Sequence, residues 1–335
     1  MRFGDVPLAQ AEGAILAHSQ AVGDGQLRKG MVLGAAEIEA LRDAGHDRVT
    51  VARLDPADCD ENAAARLLGA AITGARDCGL RAGAAGTGRV NIYATGPGVL
   101  SLDVERIEAA NRINPMITLA TLPPHSPLSE GRMVATVKII SYGVALDDAR
   151  RAAALLEGAL LRAAPRLRRA GLIVTEMRPG AEPSRLTVKG RAAVEARLSA
   201  LGVALTECRL TAHASAPIAR ALSDMGGELA LILTASATSD PADVAPEAVR
   251  LAGGRVDRFG MPVDPGNLLF LGEQGGRPVI GLPGCVRAPT LNGADWVLER
   301  IVCGIEVGDA QIAQMGVGGL LKEGPQRPHP RERRT

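Results

Sequence analysis

Three short apolar runs, each followed by ten to fifteen residues of helical pattern, constrain this chain more than anything else in it. "GLIVTEM" (171–177) precedes a helix expected near 187–201. "VALTECRLTA" (203–212) precedes one near 214–226, and "LALILTASA" (229–237) one near 241–253. Short apolar strands separated by helices of this length are the pattern of right-handed βαβ units with a parallel sheet covered on both faces. The pattern predicts a Rossmann-like, three-layer α/β/α domain with a mainly parallel sheet. After it, "NLLFLGEQGGRPVIGLPG" reads as strand, tight turn and strand, with "GEQGGR" closing a hairpin.

The rest of the 335 residues reads as smaller α+β structure. From Val6 the pattern suggests a helix and a turn. A second helix then carries Ala36, Ile38, Leu41 and Ala44 on one face and ends at Gly45, and "RVTVARL" follows as an alternating strand. Residues 60–81 form an alanine-rich helix capped by Asp58 or Asp60; strands follow at Val90–Ala94 and in "RMVATVKIISYGVA", and a helix runs from Leu146 to about Ala164, where Pro165 stops it. The expected divisions are 1–54 with 149–170, an inserted unit at 55–148, the layered domain at 171–304, and an extension at 305–335 whose proline- and charge-rich end, "KEGPQRPHPRERRT", is expected to be disordered.

Composition narrows the function. The 38 basic and 37 acidic side chains cancel, and three Phe, two Tyr and one Trp offer few stacking surfaces, which argues against nucleic acid as a partner. No signal sequence or bilayer-length apolar run is evident, so a cytoplasmic protein away from membranes is expected. Five cysteines without C-x2-C spacing suggest neither disulfides nor zinc. There is no P-loop and no G-x-G-x-x-G opening a helix; the glycines of "GAAGTGRV" run into a strand.

In an open parallel sheet, ligands bind beyond the carboxyl ends of the strands, where helix N-termini offer free amides. Three loops therefore matter. After the first strand, Thr175 and Glu176 lead into a loop where Thr187 is expected to cap the helix, with Lys189 in its first turn either facing an anion or simply solvated. After the second, His213 contacts a ligand or packs, and Ser215 is a candidate cap. After the third, Thr234 to Asp243 gathers hydroxyls and two carboxylates, of which Asp240 and Asp243 can hold magnesium or cap a helix.

These segments, in this order, resemble the molybdopterin-binding proteins of molybdenum cofactor biosynthesis, of the MoeA and gephyrin E-domain type with a MogA-like domain. The stretches that carry the resemblance are "IVTEM", "LTASATSDPAD", "MPVDPGNLLFLG" and "VIGLPGCVRAPT", with "GLPG" at 281–284 the clearest. "LRKGMVLGAAEIEALRDAGHDRVTV" also looks like the stretch before the MogA-like domain in those proteins, whereas 55–150 aligns with nothing. The resemblance implies a pocket for molybdopterin or its nucleotide form, possible magnesium, a homodimer, and other cofactor-pathway proteins as partners. By position, Thr175, Glu176, Thr234, Ala235, Ser236, Ser239, Asp240 and Asp243 would line the phosphate side, with Glu176, Asp240 and Asp243 in catalytic roles, Asp240 and Asp243 on the metal, and Lys189 near the anion. Pro265, Gly266, Asn267, Pro283, Gly284 and Cys285 would form the other wall.

The chain departs from that pattern in ways that matter chemically. The paired glycines of the third loop fall on Ser236 and Ala237, the lysine of P-G-K-P is Asn267, and the asparagine after "GLPG" is Cys285. The reading thus stands between a molybdenumtransferase and a non-catalytic pterin-binding carrier, with an unrelated phosphate-ligand enzyme on the same architecture as a third alternative.

Overall fold

The computed structural model describes residues 1–180 and 182–323; of the tail expected to be disordered, 322–335, Lys322 and Glu323 instead end a 3-10 helix, Leu321–Glu323, and Lys322 pairs with Asp264, while 324–335 lie outside the described residues. The chain divides into two compact units, Met1–Gly96 with Leu100–Arg162, and Pro97–Val99 with Ala163 onward.

In the first unit the expected helix at Val6 is instead a strand, Arg2–Pro7, antiparallel to Arg48–Arg53, with Val6 opposite Val49. The short chain there gains more from pairing beside the alternating "RVTVARL" than from an isolated turn of helix. Helix Ala35–Asp43 forms where expected and ends at Gly45, whose φ of +84° lets the amides of Gly45 and His46 reach back to the carbonyls of Arg42 and Leu41. Leu8, Leu16, Leu33, Leu41, Val49 and Val51 form its core.

The remainder of this unit is α+β. Helix Glu61–Thr73 is capped by Asp60, whose carboxylate accepts from the amides of Asn62 and Ala63. It stops at Thr73 rather than 81, because Asp77 and Gly79 take left-handed conformations and Leu80–Ala82 joins a four-stranded antiparallel sheet with Arg89–Ala94, Met133–Ile139 and Ile117–Thr121. The helix from Leu146 ends at Leu156, not near Ala164: Gly158, at φ +69°, turns the chain into strand Leu160–Ala163. Strand Gly98–Leu102 and helix Val104–Ile113, capped by Asp103, were not legible in the sequence.

The second unit carries the α/β fold expected. In chain order its main elements are β1 (Arg169–Glu176), α1 (Arg185–Ala200), β2 (Ala204–Ala212), α2 (Ser215–Asp224), β3 (Leu229–Leu233), α3 (Val244–Leu251), β4 (Arg255–Phe259), β5 (Phe270–Gln274), β6 (Arg277–Leu282) and α4 (Gly293–Val302). The sheet order is β2-β1-β3-β6-β5-β4; the first four strands are parallel, and β5 and β4 are antiparallel additions. Leu172, Val174, Leu229, Leu231 and Leu233 face a core shared with α1 and α4, while Ile173, Ala230 and Ile232 face α2 and α3. Burial on both faces is why these strands read as unbroken apolar runs.

The hairpin between β5 and β6 turns through Gly275 and Gly276, at φ +62° and +79°, as the two-residue loop requires. β4 was not anticipated, since "RVDRF" alternates charge with half-buried residues. In β6, Gly281 lies opposite Phe270, and a Cβ there would come within 1.9 Å of the ring. Gly281→Ala is therefore expected to destabilise the chain by about 1–3 kcal/mol, while Gly4→Ala, in open space, changes it by less than about 0.5 kcal/mol. Urea unfolding of both variants measures the difference.

Candidate functional site: a cleft at the carboxyl ends of β1, β3 and β6

Register brings three loops together. Val174 of β1 lies opposite Leu233 of β3, and Leu233 opposite Leu282 of β6, so the three strands end side by side. Their loops enclose a cleft of about 260 Å³ lined by Thr175, Glu176, Met177, Arg178, Ser184, Leu186, Thr187, Ala235 and Arg287. This is the crevice that an open parallel sheet reserves for ligands.

The floor is tied by hydrogen bonds. The amide of Ala235 donates to the Thr175 hydroxyl at 2.8 Å, and that hydroxyl lies 3.0 Å from Nδ1 of His213. The hydroxyl links the start of the β3 loop to the imidazole. His213 thus braces the floor from the β2 end; its amide also donates to the Glu176 carbonyl.

Glu176 is buried, and one oxygen of its carboxylate is held locally. Oε1 accepts from the amide of Ser184 at 2.8 Å and from the Thr187 hydroxyl at 2.5 Å. The Thr187 hydroxyl, followed by the Ser184 groups, holds the acid below the usual carboxylate range. It is a fixed anion that shapes the loop. The cap of α1 is Ser184 rather than Thr187, which sits at the third helical position, and Lys189 is exposed outside the cleft.

The loop after β3 is mostly self-satisfied. The Thr234 hydroxyl donates to the Ser236 carbonyl, and Ser236 and Ser239 are exposed. Asp243 caps α3, one carboxylate oxygen accepting from the amide of Val244 and the other from that of Ser239; Asp240 accepts from the amide of Ala242. Among the described residues no three His, Cys, Asp or Glu side chains converge to hold a metal. Asp243 thus has both carboxylate oxygens on backbone amides, and Asp240 has one. Ser215 opens α2 without capping it; the cap position is Ala214.

The second wall is built differently from expectation. Pro265 and Gly266 pack at the N-terminus of α4: the Gly293 amide donates to the Pro265 carbonyl, and a Cβ on Gly266 would lie 2.8 Å from the Gly293 nitrogen; Asn267 is exposed and donates to the Met261 carbonyl. Pro283 and Gly284 turn the chain out of β6 into a short 3-10 helix ending at Arg287. Cys285 is half-buried, its thiol pushed up by desolvation, and it is not among the lining residues.

Arg287 is the residue that sequence reasoning missed. Nη2 donates to the Thr234 carbonyl at 2.7 Å, while Nε is buried without a partner. Among the described residues it pairs with no carboxylate, and desolvation pushes its pKa down. The one signal for it was a lone cation three residues past Gly284, in a loop otherwise of small and apolar residues. Gly190 of α1 completes the approach, since a Cβ there would lie 2.7 Å from Leu233 and 3.5 Å from Arg287.

Comparison with known proteins adds likeness only. A family profile described as a domain of unknown function (DUF8806) matches residues 5–53. Among solved structures, the chain is similar to a molybdopterin biosynthesis MoeA protein from Pyrococcus horikosii, at 12% identity and a TM-score of 0.34, over 90% of this chain and 75% of that one. It is also similar to the protein CinA from Thermoplasma acidophilum, described as of unknown function, at 16% identity and a TM-score of 0.24, over 37% and 90%. No curated protein matches. Superpositions this loose assign no family, and what the cleft binds must be read from its side chains. No helix among the described residues is long and apolar enough to cross a membrane.

The Glu176 bonds have a testable pH signature. Its folded pKa lies below the unfolded one, so the stability they contribute is complete above the ordinary carboxylate value and is lost as pH falls through the folded value. Thr187→Val removes the largest cause. The gap in urea midpoint between wild type and variant should be full at pH 7 and narrow progressively below about pH 4.5; a pH series of urea melts reads it.

Proposed function

We propose that the chain binds molybdopterin, or its nucleotide form, through a phosphate group in this cleft, as a binding protein of molybdenum cofactor biosynthesis without molybdate-insertion chemistry. Arg287 carries the reading. A half-buried guanidinium that lines the cleft and pairs with no carboxylate is costly unless an anion completes it. Arg178 adds a second cation at the rim, and Ser184 and Thr187 add hydroxyls. Met177 and Leu186 give the same cleft an apolar side suited to a ring system.

The choice of pterin over any other phosphate ligand comes from the resemblance of "IVTEM", "LTASATSDPAD" and "VIGLPGCVRAPT" to the molybdopterin-binding proteins. The choice of carrier over transferase comes from the carboxylates. Glu176 Oε1, Asp240 Oδ1 and both oxygens of Asp243 already accept from protein donors, which favours structural roles for these acids over that of a general base or metal ligand.

Titrating the purified chain with molybdopterin, by fluorescence, tests this. Saturable binding is expected, weakened by about tenfold or more in Arg287→Gln, with an unchanged thermal melt serving as the folding control. Incubation with ATP or CTP, magnesium and molybdate should yield neither nucleotide transfer nor metal insertion. Absence of pterin binding overturns the reading, and turnover of either kind overturns the carrier assignment.

A further inference from the structure

Arg197, on α1, touches none of the cleft, yet it fixes the segment that delivers Arg287 to it. Its Nε donates to Asp295 Oδ1 at 2.5 Å, both side chains being about nine-tenths buried, at 14% and 11% exposure. Nη1 reaches the carbonyl of Val286 at 3.0 Å, and Nη2 those of Ala288 at 2.9 Å and Thr290 at 3.3 Å. The carbonyls immediately before and after Arg287 are thus held by one planar fork, while the other oxygen of Asp295 accepts from the amide of Asn292 and starts α4.

We infer that Arg197 is the positioning residue for anion binding: it sets the backbone of residues 286–290 so that the Arg287 guanidinium enters the cleft with its Nε turned away from protein acceptors. The inference rests on the proposed phosphate-binding reading of the cleft. The physical need is specific. Residues 288–292 form no helix or strand, so without an external clamp the backbone at Arg287 would be one of many loop conformers. The contact to the Thr234 carbonyl fixes only the tip of Arg287; the Arg197 fork fixes its base. Three carbonyls in a fixed arrangement suit a guanidinium and not an ammonium, which lacks the planar set of donors.

Inorganic pyrophosphate serves as the probe, measured by calorimetry on the full chain. Arg197→Lys keeps the charge beside Asp295 and gives up the fork; Arg197→Met gives up both. Both are expected to weaken pyrophosphate binding by about tenfold, with melting and near-ultraviolet circular dichroism confirming the fold. In an Arg287→Gln background the Arg197→Lys substitution should have no further effect, because Arg197 acts through Arg287. Wild-type affinity in folded Arg197→Lys would mean that charge alone matters and would overturn the inference, as would an undiminished effect in the Arg287→Gln background. If Arg197→Met fails to fold, the Arg197→Lys cycle decides alone. Failure of the wild-type chain to bind pyrophosphate defeats the phosphate reading itself, a result distinct from either.

Discussion

The register between β1 and β3 is the constraint on which the second unit depends. Val174 faces Leu233, so Thr175 and Glu176 emerge beside Thr234 and Ala235, and the Ala235 amide meets the Thr175 hydroxyl. A slip of one residue would turn Leu172 and Val174 toward α2 and α3, Ile173 toward α1 and α4, and would separate the two loop starts. Burial of both sheet faces makes such a slip expensive. The cleft inherits its geometry from that cost.

Around this frame, charge is distributed unequally. Carboxylates are spent on structure: Glu176 on the α1 entry, Asp243 on the α3 cap, Asp295 on Arg197 and the α4 entry. The guanidinium of Arg287 is the exception, held at its tip by a carbonyl and partnerless at Nε.

Much of this was legible in the residues. The β1–α1–β2–α2–β3 alternation, the Gly275–Gly276 turn, the Gly45 stop, and the caps at Asp60 and Asp243 each follow from local chemistry that tertiary structure did not override. The rule that ligands meet parallel sheets at strand ends pointed to the loops after Thr175, Glu176 and Thr234, and Thr175 and Glu176 line the cleft; Ala235, which also lines it, was named only by the resemblance. Legibility failed where nonlocal contacts decide. Val6 pairs in a sheet because Val49 is its partner, and Pro265 and Gly266 pack at the start of α4. Ser184 takes the cap expected of Thr187 because Glu176 claims the Thr187 hydroxyl.

Layered architecture, turns and strand ends follow from the order of residues alone, because periodicity, glycine conformation and capping act over a few residues. That order also singled out "GLPGCVRAPT" as a turn out of a buried strand. Only the tertiary structure decided which side chain that turn presents. Arg287 enters the cleft and Cys285 does not, because Arg197, ninety residues earlier in the chain, holds the carbonyls on either side of Arg287. A contact of that range leaves no local pattern in the sequence and exists only once α1 has packed against the sheet.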